Sequence, residues 1–241
     1  MTIRTALVTG ATDGIGFEIA RQLTQRGVRV VGTGRNLPEE GDARFDACAR
    51  WVAADQDDPH HAAQTILEAA TDEPLDVAIL CAGTGHVPGG GLAEGASTIR
   101  RTLRVNLEAT IVIAHALASA LLERNGTLVL VGSVARKGAA VMPSYAASKA
   151  GLHGFARALG EEWRGRATVA MLHPGPTRTA IHAKAGLNVG RLARFFVPAG
   201  VMANTIIARA VRAHGTLHPH SATLTWRANA GRWLASLGRR R

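Results

Sequence analysis

A chain of 241 residues and 25.3 kDa with 46 % hydrophobic content holds enough apolar material for a sizeable core, which excludes a disordered chain. Its formal net charge of +10 is lopsided: no Asp or Glu follows Glu162 while thirteen Lys and Arg do, leaving the first 162 residues at about −3. Two cysteines, Cys48 and Cys81, form no metal-ligand or redox motif and read as reduced core thiols, so neither a metal centre nor a disulfide framework is expected.

The strand-like run IRTALVTG comes first, with no apolar leader and no lipidation signal before it, and a cytoplasmic protein is expected. TGATDGIG follows, where Gly10, Gly14 and Gly16 permit a tight turn and close backbone approach, and a helix is expected to open at Phe17. Free N–H groups and the dipole at that helix start favour a diphosphate, so Thr12, Asp13 and Ile15 join the glycines as a candidate nucleotide loop. The second run, VRVVGTG, ends at Gly34 and Arg35. An acidic residue there would bond an NAD ribose, whereas the Arg35 guanidinium can pair with a 2′-phosphate, which points to NADP; Asp13 adds a nearby negative charge that opposes it. The third run, RWVAAD, leads to Asp55 and Gln56, and the fourth, LDVAILCAG, to Cys81, Ala82 and Gly83.

The longest apolar stretch, Val105 to Leu122, contains Asn106, Glu108 and His115, which suits a buried helix better than a membrane span. GTLVLVGS then ends at Ser133, and ATVAMLHPG ends at Pro174 and Gly175. Between them PSYAASKAG holds the only tyrosine in the chain, Tyr145, and one of three lysines, Lys149, at a spacing that puts both on one helix face. His115, His153 and His173 read as packing or interface residues, while His86 and Met142 fall near the presumed pocket mouth. Strand and helix alternate without a linker, low-complexity tract or repeat, so one doubly wound α/β domain over residues 1–241 is expected, a parallel sheet with helices on both faces. Ligands of such sheets sit beyond the carboxyl ends of the strands, so the residues just after each run are the candidates for contact.

TGATDGIG, then CAG at 81–83, VN at 105–106, GS at 132–133, YAASK at 145–149 and PGPTRT at 174–179 occur in the order and near the spacing of the short-chain dehydrogenase/reductase family, which the chain resembles over about residues 4–180. The resemblance implies a Rossmann-type fold and an NAD(P)-dependent oxidoreductase acting on a small carbonyl or alcohol. Tyr145 would be the proton donor in reduction and the base in oxidation, its phenol pKa lowered by the ammonium of Lys149, which would also bond the nicotinamide ribose. Ser133 would donate to the substrate oxygen, and Asn106 would hold a water linking Lys149 to solvent. Asp55 resembles the residue that contacts the adenine amino group; Cys81, Ala82 and Gly83 would line the adenosine side; Pro174, Gly175, Thr177 and Thr179 resemble the segment that fixes the nicotinamide amide. The family's two asparagines before Ala-Gly are here Leu80 and Cys81, which removes side-chain contacts and keeps backbone ones.

The family places a substrate lid near 181–200, where Gly186 and Gly190 allow hinge motion and Phe195 and Phe196 can cover an apolar ligand. Instead of the family's final strand and tail, the chain carries SATLTW and RANAGRWLASLGRRR. Trp226, Trp233 and Leu237 fall at helical spacing there, so a basic amphipathic helix is expected near 227–241, packing on its own domain or a partner subunit in preference to an anionic membrane. A homodimer or homotetramer through the helices near Asn106 and Pro143 is implied by the resemblance. The expected function is NADP-dependent carbonyl reduction. The rivals are a 3-oxoacyl carrier-protein reductase and, from another class, a nucleotide-sensing regulator or nucleic-acid binder using the basic C-terminal portion, which carries no nucleic-acid motif.

Overall fold

The apolar runs become strands β1 (Thr5–Thr9), β2 (Arg29–Gly34), β3 (Arg50–Ala53), β4 (Val77–Leu80), β5 (Thr127–Val131) and β6 (Thr168–Pro174) in a computed structural model that describes residues 2–71, 74–85, 94–179 and 196–224. Every residue of β4, β5 and β6 is buried, which is why their sequences are apolar without alternation. With β9 (His220–Leu224) they form a seven-stranded sheet in the order β3-β2-β1-β4-β5-β6-β9, parallel at every pairing.

Each face of the sheet carries its own core. On one, Val8, Ile79 and Val129 pack under α1 (Gly14–Thr24) and α7 (Ala199–Ala213), whose Ile19 and Ile206 are fully buried. On the other, Leu7, Leu80, Leu128 and Leu130 meet Ile66 of α2 (Pro59–Thr71), Ile113 of α4 (Ala109–Ala116) and Leu152 of α6 (Pro143–Glu162). Leu7 and Val8 are adjacent yet serve opposite cores, as the two-residue strand period requires. Between β1 and β4 the chain order reverses direction across the sheet, and this switch point is where the crevice opens.

Three expectations need correction. The first helix opens at Gly14, not Phe17, because the Asp13 carboxylate accepts from the Gly14 N–H at 2.6 Å and caps it. The stretch from Val105 to Leu122 is not one helix: a π-helical turn, Arg104–Glu108, leads from α3 (Ala96–Leu103) into α4, and α5 (Ala118–Leu122) follows after Leu117 flattens to ψ −2°. The chain also has the last strand it was expected to lack. His220–Leu224 pairs with β6 from Ala170↔His220 to Pro174↔Leu224, but at the sheet edge only Leu224 is buried, so no apolar run announced it.

Two further strands, β7 (Thr177–Arg178) and β8 (Val197–Pro198), form a separate parallel ladder beside the crevice. His86, most of the lid near 181–200 and the helix near 227–241 lie outside the described residues. No helix among the described residues is long and apolar enough to cross a membrane.

Candidate functional site

The loop after β1 has a shape that only glycine allows. Gly10 has φ +66°, and a Cβ there would stand 2.8 Å from the Ala82 Cα; one on Gly16 would stand 2.2 Å from the Gly10 carbonyl oxygen. These approaches bring the β1–α1 loop against the end of β4, where the Thr9 hydroxyl accepts from the N–H groups of Cys81 and Ala82 at 3.1 Å each. Gly34 fits as closely over Thr12, since a Cβ there would lie 2.5 Å from the Thr12 methyl.

These strand ends wall a cavity of about 460 Å³. Gly10, Thr12, Asp13, Gly14, Ile15, Gly16, Arg35, Asp55, Gln56, Cys81, Ala82, Gly83, Ser133, Tyr145, Lys149, Pro174, Gly175, Thr177 and Thr179 all line it. Of the residues expected to act in catalysis or hold the cofactor, Asn106 is the one that does not. It is fully buried in the π-helical turn with its amide already engaged: Oδ1 accepts from the Thr84 N–H at 2.7 Å, and Nδ2 donates to the Thr84 carbonyl at 2.8 Å and the Ser148 hydroxyl at 3.2 Å. Asn106 therefore ties the loop after β4 to α6.

A nucleotide fits the cradle. The glycines let the loop fold tightly enough for its backbone to line the cavity, and the N-terminus of α1 faces that cavity. Gln56, 6 % exposed, lines the cavity with a buried Oε1 that has no partner within the protein. Arg101 lies on the same wall, braced by Asp57 at 3.4 Å, while Asp57 also meets Arg104 at 3.3 Å.

At the other end, α6 presents Tyr145 and Lys149 together, with Nζ 5.8 Å from the phenol ring centroid. Lys149 is 4 % exposed and donates to the Val131 carbonyl at 3.1 Å; burial drives its pKa from 10.5 down to about 8. The phenol behaves opposite to expectation. Burial raises its pKa, and what opposes the rise is the hydrogen bond with Ser133, not an effect of Lys149. The reason is that both groups are buried, and each is pushed toward its neutral form. Cys81 beside them is likewise raised, to about 11.

Several contributors were not visible in the sequence. Glu94 reaches across to accept from the Ser144 N–H at 3.1 Å, capping α6 one residue before Tyr145, where Met142 offers no side-chain cap. Val134 and Ala135, past Ser133, join Met142 and Phe196, the two expected at the pocket mouth and in the lid, in an apolar wall. His173, read as packing, is fully buried behind that serine, with its Nε2 3.1 Å from Nδ1 of His153.

The protein-family model for short chain dehydrogenase matches residues 4–189. The chain is 32 % identical over 196 residues to an oxidoreductase of Escherichia coli strain K12, covering 76 % of this chain and 77 % of that one. It is 31 % identical over 182 residues to the 3-oxoacyl-[acyl-carrier-protein] reductase of the same organism, covering 70 % and 72 %. Among solved structures it is similar to one from Shigella flexneri 2a described as a short chain dehydrogenase complexed with NADP, with a TM-score of 0.78 and 26 % identity over 90 % of this chain and 96 % of the other.

Proposed function

The chain belongs to the short-chain dehydrogenase family, and from that premise we propose that it is an NADP(H)-dependent oxidoreductase that interconverts a ketone and a secondary alcohol, working chiefly as a carbonyl reductase. The observation that carries this reading is the convergence of Ser133, Tyr145 and Lys149 on the cavity whose far end is the glycine cradle. Arg35 on the rim supports the phosphorylated cofactor, as does the NADP held by the similar structure.

A bound nicotinamide supplies or accepts the hydride. The chain's own residues handle the proton. With its pKa raised, the Tyr145 phenol is protonated at neutral pH, and its Oη can deliver that proton to the oxygen of a carbonyl as the oxygen gains charge. Ser133 donates a hydrogen bond to the same oxygen, and Lys149, protonated below about pH 8, supports the phenolate left behind. The reverse direction requires a phenolate first, so oxidation is favoured by alkaline pH. Thr177, Thr179 and Gly175 would hold the nicotinamide end, and Asp55 and Gln56 the adenine. Among the described residues the wall of Val134, Ala135, Met142 and Phe196 is uncharged, which favours an apolar carbonyl compound. Assembly as a dimer or tetramer through α4 and α6 is part of the same reading.

Titration of the purified protein with NADPH and with NADH, followed by quenching of its tryptophans, tests the cofactor. Tyr145→Phe tests the chemistry: turnover should all but vanish with cofactor binding retained, and substantial residual turnover would overturn the assignment. Likeness to a 3-oxoacyl carrier-protein reductase supports a second reading, in which the basic C-terminal portion of the chain docks an acidic carrier. Faster, strongly salt-sensitive turnover of a carrier-bound substrate than of a small ketone would select it.

A further inference from the structure

Three side chains lie at four-residue steps along one face of α6: Tyr145, Lys149 and His153. The third points away from the cavity, to the far side of the strand end that carries Ser133. There His153 Nδ1 meets Nε2 of His173 at 3.1 Å, with the ring centroids 5.0 Å apart. His173 sits on β6 with no exposure at all, in a position where its neighbours Met171 and Leu172 are apolar. Its ring presses on Gly132, where a Cβ would come within 2.5 Å of Nδ1 and 3.0 Å of Cε1. That Nδ1 is buried beside the backbone of Ser133 but outside hydrogen-bonding geometry. A buried imidazole with one nitrogen unpaired is a costly way to fill a core position that an aliphatic side chain would fill more cheaply.

We propose that His153 and His173 form a strut that positions Ser133 against Tyr145: His153 holds the His173 ring upright, and that ring bears on Gly132 and the Ser133 backbone. The inference rests on the reading of Ser133 and Tyr145 given above. Both imidazoles are positioning residues, since neither reaches the cavity lining. The ladder bond from the Gly132 N–H to the Leu172 carbonyl, 2.7 Å, keeps the Ser133 turn in register with His173. The strut is uncharged at neutral pH: burial, then Arg136 and His153, drive His173 down to about 4, while burial, Arg136 of the turn after Ser133 and Arg157 of α6 lower His153. Lys149 is the remaining charged group that faces His173. Two neutral rings joined nitrogen to nitrogen need one donor and one acceptor, so the pair has a defined tautomer order and a defined length.

The single tyrosine gives this idea a direct readout. Ionisation of Tyr145, followed by phenolate absorbance in the near ultraviolet, reports one residue, and the Ser133 side chain is what limits the burial-driven rise of its pKa. His153→Phe keeps a ring over His173 and removes the nitrogen; His153 is half-buried at the surface, so folding should survive. His153→Asn restores a polar atom near the position of Nδ1. Ser133→Ala sets the full effect. With free protein and at saturating NADP+, Ser133→Ala should raise the Tyr145 pKa, His153→Phe should raise it by about half as much or more, and His153→Asn should return it toward wild type. If Ser133→Ala moves it and His153→Phe does not, the strut is overturned and the site reading stands. If Ser133→Ala leaves it unmoved, the site reading and the strut both fall.

Discussion

Replacing Lys149 by Met should make the protein more stable while removing its activity. The ammonium is 4 % exposed and its pKa falls from 10.5 to about 8, so burying it protonated costs about 3 kcal/mol at pH 7. Met fills a similar volume without that cost but forfeits the bond to the Val131 carbonyl, about 1 kcal/mol. The balance is a gain of about 2 kcal/mol, or about 4 to 8 °C in Tm for a chain this long. The sign depends on pH in a definite way. Because the folded-state value lies below the unfolded one, the penalty is complete below about pH 8 and disappears as pH rises toward 10.5, where the unfolded chain alone still binds the proton. Thermal unfolding of both proteins should therefore show the variant ahead at pH 7, the gap closing above pH 8 and reversing near pH 10.5. A variant no more stable than wild type at pH 7, or a gap that ignores pH, would refute the reasoning. A more stable, inactive Lys149→Met would also show that the lysine is kept at the expense of stability.

Gly16→Ala should raise the Kd for NADPH at least about tenfold and lower Tm by several degrees, because the new methyl would lie 2.2 Å from the Gly10 carbonyl oxygen and must open the loop; fluorescence titration and thermal melts measure both. Arg35→Ser should weaken NADPH about tenfold and leave NADH unchanged, since only the former carries the 2′-phosphate; equal losses for both would assign Arg35 to the loop's structure. Glu94→Ala removes the carboxylate that caps α6 at Ser144 and should cost about 1 kcal/mol in chemical denaturation, with kcat falling before cofactor affinity does. In carbonyl reduction the rate should decline above about pH 8 as Lys149 loses its proton, and Lys149→Met should abolish the rate and that limb with it.

The parts of the fold that could be read from the chain are those with a strong local period. β4, β5 and β6 announce themselves because both faces of a central parallel strand are buried, and Tyr145 with Lys149 because a helix repeats its face every four residues. β9 escaped notice because an edge strand needs only one apolar anchor, Leu224. The start of α1 was misplaced since Gly14 and Gly16 are poor helix formers, although Asp13 immediately before them is an ordinary capping residue. Two features had no local signal at all. The raised pKa of Tyr145 is a consequence of burial, which spacing cannot report, and the meeting of His153 with His173 depends on how α6 lies on β6. Glu94 belongs with these: its partner Ser144 is fifty residues away.

The small ladder of β7 and β8 joins Thr177 to Val197 and Arg178 to Pro198, so the chain leaves the cavity wall and returns to it at one clamp. Because Val197 also belongs to the core under α1 and α7, the ladder anchors the Thr177 wall to the buried interior of the domain. A substitution at Val197 would therefore be felt at the cavity wall as well as in the core.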